Sequence, residues 1–267
     1  SSSPTLTNST FSGNSATYGG GVYCGWSPYL ILTNCTFSGN SAESGGGGMW
    51  CRDSSPTLTD CTFSGNSAEH AAGGMRCASS LATLTNCTFA DNAATYGGGM
   101  NCTTSSATLT NCTFAGNSAE DSGGGMRCAS SSATLTNCTF ADNAATYGGG
   151  MYRRASSSAT LTNCTFAGNS AEDSGGGMFV ELESSLTLNN TIIAFGTQGE
   201  AVCCDSTSTA TLTCCDIFGN SGGDWVGWIA DQYGINGNIS LDPCFCDPEN
   251  GDYHLWNYSP CNQVVCG

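Results

Sequence analysis

Residues 82–100 read A-T-L-T-N-C-T-F-A-D-N-A-A-T-Y-G-G-G-M, and the same string returns at 133–151. Residues 107–126 and 159–178 share A-T-L-T-N-C-T-F-A-G-N-S-A-E-D-S-G-G-G-M, so a block of two units has been duplicated. Aligning the chain on T-L-T-N-C-T-F-x-x-N finds copies from Leu6, Leu32, Leu58, Leu84, Leu109, Leu135 and Leu161, with looser ones from Leu188 and Leu212. Between copies stands G-G-G-M-x-C or a variant, as at 97–102. The period is about 26 residues, the signature of a repeat architecture.

No window carries an apolar 3.6-residue period; each unit reads as short extended pieces broken by Asn, Gly and Ser turns. The period is too long for a hexapeptide coil and too short for a four-stranded propeller blade. Three short strands per turn of a parallel solenoid fit it best. The expected fold class is all-β, a right-handed single-stranded parallel β-helix of about nine coils over 1–222, with a disulfide-bearing capping tail at 223–267. Alternation places Met and Cys of M-x-C inward, and likewise Leu, Cys and Phe of L-x-N-C-x-F. Thr between them faces water, and the corner Asn residues Asn34, Asn86, Asn111, Asn137 and Asn163 are set to bond one another as a ladder.

The chain has no Lys; five Arg face 21 carboxylates, for a formal net charge of -16, which argues against a nucleic-acid partner. No apolar run approaches the ~20 residues of a membrane-spanning helix. Nineteen Cys with only His70 and His254 as imidazoles, and no C-x-x-C, point away from metal or redox chemistry. They suit an oxidising compartment, and hence an extracellular or cell-surface location. No metal or cofactor is expected.

Two inward Cys positions recur ten or eleven residues apart. They suggest disulfides within a coil: Cys24 with Cys35, Cys51 with Cys61, Cys77 with Cys87, Cys102 with Cys112, Cys128 with Cys138 and Cys204 with Cys215. Val180 and Thr191 replace one such pair together, whereas Arg153 stands opposite an unpartnered Cys164. Bonds between stacked coils are the rival, disfavoured because ladder neighbours at ~4.8 Å are wider apart than the ~3.8 Å that bonded Cβ atoms prefer. A buried ladder of free thiols is the third option. Cys261 and Cys266 could close a terminal loop, and Cys203, Cys214, Cys244 and Cys246 have no assigned partner.

The outward position of M-x-C forms a stripe of Tyr23, Trp50, Arg76, Asn101, Arg127, Tyr152 and Phe179. Acidic residues gather beside it at Glu43, Glu69, Glu120, Asp121, Glu172 and Asp173. Such a surface could stack sugars or meet a second rod, or could be an ordinary mixed face. Enzymes on this fold use a carboxylate cluster on a strand face, and the stripe has no outward carboxylate before Glu181. Asp91 and Asp142 read as turn caps rather than Ca²⁺ ligands.

The pairing of F-x-x-N with G-G-x-hydrophobic, as Phe37 to Asn40 and Gly47 to Met49, resembles the repeats of chlamydial polymorphic outer-membrane proteins, which carry G-G-A where this chain has G-G-G. The tail G-N-I-S-L-D-P-C-F-C-D-P-E-N-G-D-Y is similar to the ending of bacterial secreted β-helix repeat proteins, through Asp242, Pro243, Asp247, Pro248, Gly251 and Asp252; Cys244 departs from the apolar residue usual there. The resemblance implies the fold and conveys little about activity. Together these readings lead to the expectation of a non-enzymatic extracellular structural or adhesive rod, self-associating end to end or laterally and a candidate for glycosylation. A carbohydrate-binding module is the alternative, and a polysaccharide lyase or hydrolase ranks third.

Overall fold

The computed structural model describes residues 4–26 and 29–262. One unit closes on itself as one turn of a parallel solenoid. The central coil contains the strands Leu81–Thr85, Thr88–Ala90, Ala93–Tyr96 and Met100–Thr103. Each pairs in parallel with its counterparts in the coils before and after. Stacking gives four sheets, here called first to fourth in chain order, of nine, nine, seven and eight strands among the described residues. The sequence predicts three strands per coil and the structure has four, because the segment after the F-x-x-N corner also runs extended. Its pairing is interrupted by register shifts, as between Ala94 and Tyr96, so no clean period of two marks it in the sequence.

Left-handed residues make the corners: Asn86 (φ 53), Asp91 (φ 55) and Gly97 (φ 68) in the central coil. Asn and Asp tolerate this region because their short polar side chains bond locally. Gly98 is required for another reason. A Cβ there would lie 2.3 Å from the Ser118 carbonyl oxygen and 2.6 Å from that of Gly124, so the coils meet backbone to backbone at this corner.

The core is thin and repeats. Leu84, Cys87, Phe89, Met100 and Cys102 are buried, as are their counterparts in neighbouring coils. Phe37, Phe63, Phe89, Phe114, Phe140 and Phe166 stack with centroids 4.5 to 4.7 Å apart and interplanar angles of 2 to 3°. Favourable aromatic pairs add about 0.5–1.5 kcal/mol each beyond the area buried.

Beyond the strand Asp216–Phe218, the chain crosses the end of the solenoid. The 3-10 turn Gly227–Gln232 sets Ile229 into the core. The Gln232 side chain accepts from the Leu212 amide (2.9 Å) and donates to the Ala210 carbonyl (2.8 Å). Asn238 accepts from the Cys215 amide (2.9 Å) and donates to the Leu212 carbonyl (3.0 Å). Edge groups that would otherwise be open are thereby satisfied. The chain then turns back: Phe245–Asp247 and Asp252–Leu255 pair antiparallel. This hairpin lies outside the second sheet, where Phe245 clusters with Ala167 and Ala194. Residues 223–240 thus cap the end, and the hairpin of Phe245–Asp247 and Asp252–Leu255 flanks the rod. Among the described residues, no helix is long and apolar enough to cross a membrane.

Candidate functional site

The parallel register brings Tyr23, Trp50, Arg76, Asn101, Arg127, Tyr152 and Phe179 into one column on the outer face of the fourth sheet. The tight glycine corner places the third sheet against this column, and its Tyr18, Tyr96 and Tyr147 lean onto it. Trp50 meets Tyr18 and Tyr23 edge to face, at 4.6 and 5.6 Å. The Arg76 guanidinium lies 4.7 Å over Trp50 and donates to the Ser44 carbonyl at 3.0 Å. Arg127 lies 5.0 Å from Tyr96 and 5.7 Å from Tyr152, and its Nε donates to Ser122 Oγ at 3.2 Å. Phe179 stands 5.8 Å from both Tyr147 and Tyr152, and the Tyr152 hydroxyl donates to Glu181.

The stripe is therefore not the open outer face that alternation implied. Trp50, Asn101 and Tyr152 are buried at 8, 1 and 5% exposure, while Tyr23 is exposed at 44%. Cation–π stacking, worth about 0.5–2 kcal/mol a pair, occupies both arginines. Burial, with Arg127 the next cause, holds the Arg76 guanidinium below its ordinary value. What stays open is a groove of about 520 Å³ bordered by Tyr18, Trp50, His70, Arg76, Tyr96 and Arg127. The tyrosines of A-T-Y-G-G-G were not singled out in the sequence; their place immediately before each glycine corner is the signal that could have found them. Glu43, Glu69, Glu120, Asp121, Glu172 and Asp173 lie on the third-sheet strands beside the groove, and no ion pair joins them to Arg76 or Arg127 among the described residues.

The cysteines form two columns, and the expected bonds within a coil are not made. Cys35, Cys51, Cys61, Cys77, Cys87, Cys102, Cys112, Cys128, Cys138, Cys204 and Cys215 are all thiols. Their neighbours lie along the column. Cys51 stands in register beside Cys24, and Cys102 between Cys77 and Cys128. Cys87 interacts with Cys61 and Cys112, and Cys138 with Cys112 and Cys164. The physical reason is direction. Each thiol of the second column points at backbone carbonyls, as Cys61 does at Thr59 (3.3 Å) and Leu32 (3.7 Å). Burial, followed by the hydrogen bond with Cys24, pushes the Cys51 thiol well above its ordinary value, so this column serves as apolar filling. At the corner after the strand Thr209–Thr213, Cys214 is disulfide-bonded. Cys261 is a thiol whose Sγ lies 3.0 Å from Asp216 Oδ2, and its expected partner Cys266 lies outside the described residues.

Arg153 occupies the inward Cys position of its coil, in register between Cys128 and Val180. It is fully buried, and Nε, Nη1 and Nη2 have no hydrogen-bond partner among the described residues. Burial lowers its pKa, with nearby Cys128 opposing.

Two asparagine ladders hold the coils in register. At the exposed corner, Asn111 Nδ2 donates to Asn86 Oδ1, Asn137 to Asn111 and Asn163 to Asn137 at 3.1 to 3.2 Å, and Asn34 donates to Asn8 at 2.7 Å. The Asn of F-x-x-N forms a second, buried ladder from Asn40 to Asn169 that the sequence reading did not assign. Asp91 and Asp142 sit at left-handed corners. Among the described residues no group of three or more His, Cys, Asp or Glu side chains could hold a metal ion.

Coils that touch only their neighbours and share one continuous core define a parallel β-solenoid. A family model described as right handed beta helix region matches residues 1–114 and 74–239, and the chain belongs to that family. No curated protein and no solved structure matches it. Membership fixes the fold and leaves the activity open, since the family includes enzymes such as pectate lyases as well as non-enzymes.

Proposed function

We propose that the chain is a non-enzymatic structural or adhesive rod of an extracellular or cell-surface setting, acting through its flanks. The observation that carries this reading is the register of the second sheet and its corner: Phe side chains stack from Phe37 to Phe166, and Asn side chains bond from Asn40 to Asn169. Rigidity is thereby a property of the repeat, as suits an element whose length is its function. The resemblance of the repeats to those of exported bacterial surface proteins supports the same setting.

Self-association on this reading is lateral, because Gln232 and Asn238 occupy the backbone groups that a further coil would need at the capped end. Electron microscopy of the protein from its native setting, with mass spectrometry of the same sample, tests the proposal. Bundled rods with mass above 27.2 kDa per chain are the expected result. Dispersed monomers of unmodified mass would remove self-association and glycosylation together.

One observation favours a second reading, a carbohydrate-binding module: the groove beside Trp50 combines aromatic edges with two guanidinium groups, the chemistry that holds sugar rings and acidic substituents. Glycan binding lost in Trp50→Ala and retained in Tyr258→Ala would support it.

A further inference from the structure

We propose that the outer face of the first sheet is an ice-binding surface, a flat array of hydroxyl and methyl groups matched to crystalline water. The nine strands of this sheet, from Thr5–Thr7 to Thr209–Thr213, contain no charged residue, although the chain carries a formal net charge of -16. On a strongly acidic protein, one whole face is thus neutral, as is the lattice it would meet.

The array is regular in both directions. Thr83, Thr108, Thr134 and Thr160 form one exposed column, directly paired from strand to strand. Two residues on, Thr85, Thr110, Thr136 and Thr162 form a second column, half-buried, in the same register. Columns repeat at ~4.8 Å between strands, and neighbours along a strand are ~6.6 Å apart, from twice the rise per residue. These two spacings approach the repeat distances of the prism face of hexagonal ice. No register shift interrupts the pairing from Leu58 to Leu212.

Side-chain ladders resist the twist of a many-stranded sheet, and both edges of this one have them. At one edge Asn137 donates to Asn111, and Asn111 to Asn86. At the other, the amides of Ser80, Ser105 and Ser131 each donate to the Ser Oγ of the next coil at 3.1 Å. Threonine adds stiffness of its own, because its branched Cβ restricts χ1, so the array loses little freedom on meeting a surface. Ile31 and Asn189 are the departures within the two columns, toward opposite ends of the rod.

Freezing-point hysteresis and ice recrystallisation, measured on the full chain, test this directly. The expected result is hysteresis with faceted ice crystals, and its loss in Thr134→Lys, whose charge would stand in the middle of the array. Glu120→Gln, on the third sheet, is expected to keep the effect. Circular dichroism melting of each variant separates a lost surface from a lost fold, and Thr134→Val, which keeps shape and branching, provides a variant that disturbs folding least. The proposal is overturned if the wild-type chain neither shifts the freezing point nor slows recrystallisation. It is equally overturned if Thr134→Lys retains the effect with its melting unchanged, or if the face sediments with crystalline cellulose or chitin and ignores ice.

Discussion

Asn92 and Asn117, one coil apart, are joined by two hydrogen bonds to a single oxygen: the Asn92 side-chain Nδ2 and the Asn92 amide both donate to Asn117 Oδ1, at 2.9 and 3.1 Å. The same Nδ2 donates to the Phe63 carbonyl at 3.0 Å, and Asn92 Oδ1 accepts in turn from the amide and side chain of Asn66. Every polar atom of this buried side chain is therefore used, and each contact ties one coil to another.

Removing that side chain should be costly. Asn92→Ala strands two donors of Asn66 and the Phe63 carbonyl, and unsatisfied buried groups cost about 1–3 kcal/mol each without strict additivity, so we expect a loss of roughly 2–5 kcal/mol. Asn111→Ala, at the exposed corner ladder, should cost under about 1 kcal/mol by the same reasoning, since water replaces its partners. Urea unfolding of the two variants side by side checks the ranking; equal losses would show that the buried ladder is no stronger than the exposed one.

Arg153→Met should stabilise the fold. The guanidinium is buried without a hydrogen-bond partner, and replacing such a group by an apolar one of similar length gains about 1–4 kcal/mol where comparable groups have been exchanged. Its folded pKa is lowered, so the charged form is disfavoured in the native state and the unfolded chain holds the proton more tightly. The penalty is then full below the folded value and fades as pH rises from it toward the ordinary Arg value. Thermal melting at pH 7 should therefore show the gain; a lower melting temperature would mean that the charge has a partner in solution.

Native labelling with iodoacetamide should modify Cys203, Cys244 and Cys246, which are half-exposed, and spare Cys51, Cys77, Cys102 and Cys112. After unfolding without reductant, these four should take up label as well. Finding them still unlabelled would show disulfides, and mass spectrometry of the linked peptides would then tell bonds within a coil from bonds between coils.

Asp216 should make the capped end sensitive to pH. It is buried, accepts from the Leu241 amide and lies against the Cys261 thiol, and burial raises its pKa, partly opposed by those two bonds. A raised carboxyl pKa contributes stability that is complete below the ordinary carboxylate value and is lost as pH rises through the folded value. Asp216→Asn should flatten the fall in melting temperature over that window, leaving the acid limb unchanged. An unaltered profile would place the titration elsewhere.

Much of this was legible in the chain because a solenoid repeats its environment. Leu84, Phe89 and Met100 announce their burial through a period of two, and Asn86 its corner through position, since every coil poses the same local question. The thiols show the limit. Spacing along the chain measures only how far Cys77 and Cys87 are apart in sequence, whereas bonding depends on where each Sγ points, and the backbone carbonyls decide that. Trp50 shows it again: alternation places it outward correctly, but a neighbouring sheet lies over it.

The sequence by itself determined the coil, its period and its inward residues, because these follow from backbone geometry and side-chain alternation within one unit. Only the tertiary structure decided the contents of the fourth-sheet groove, the column-wise meeting of the thiols, the isolation of Arg153 and the division of the tail into cap and flanking hairpin. Those depend on the distance between elements far apart in the chain, which closure of the coil and the register of its neighbours set.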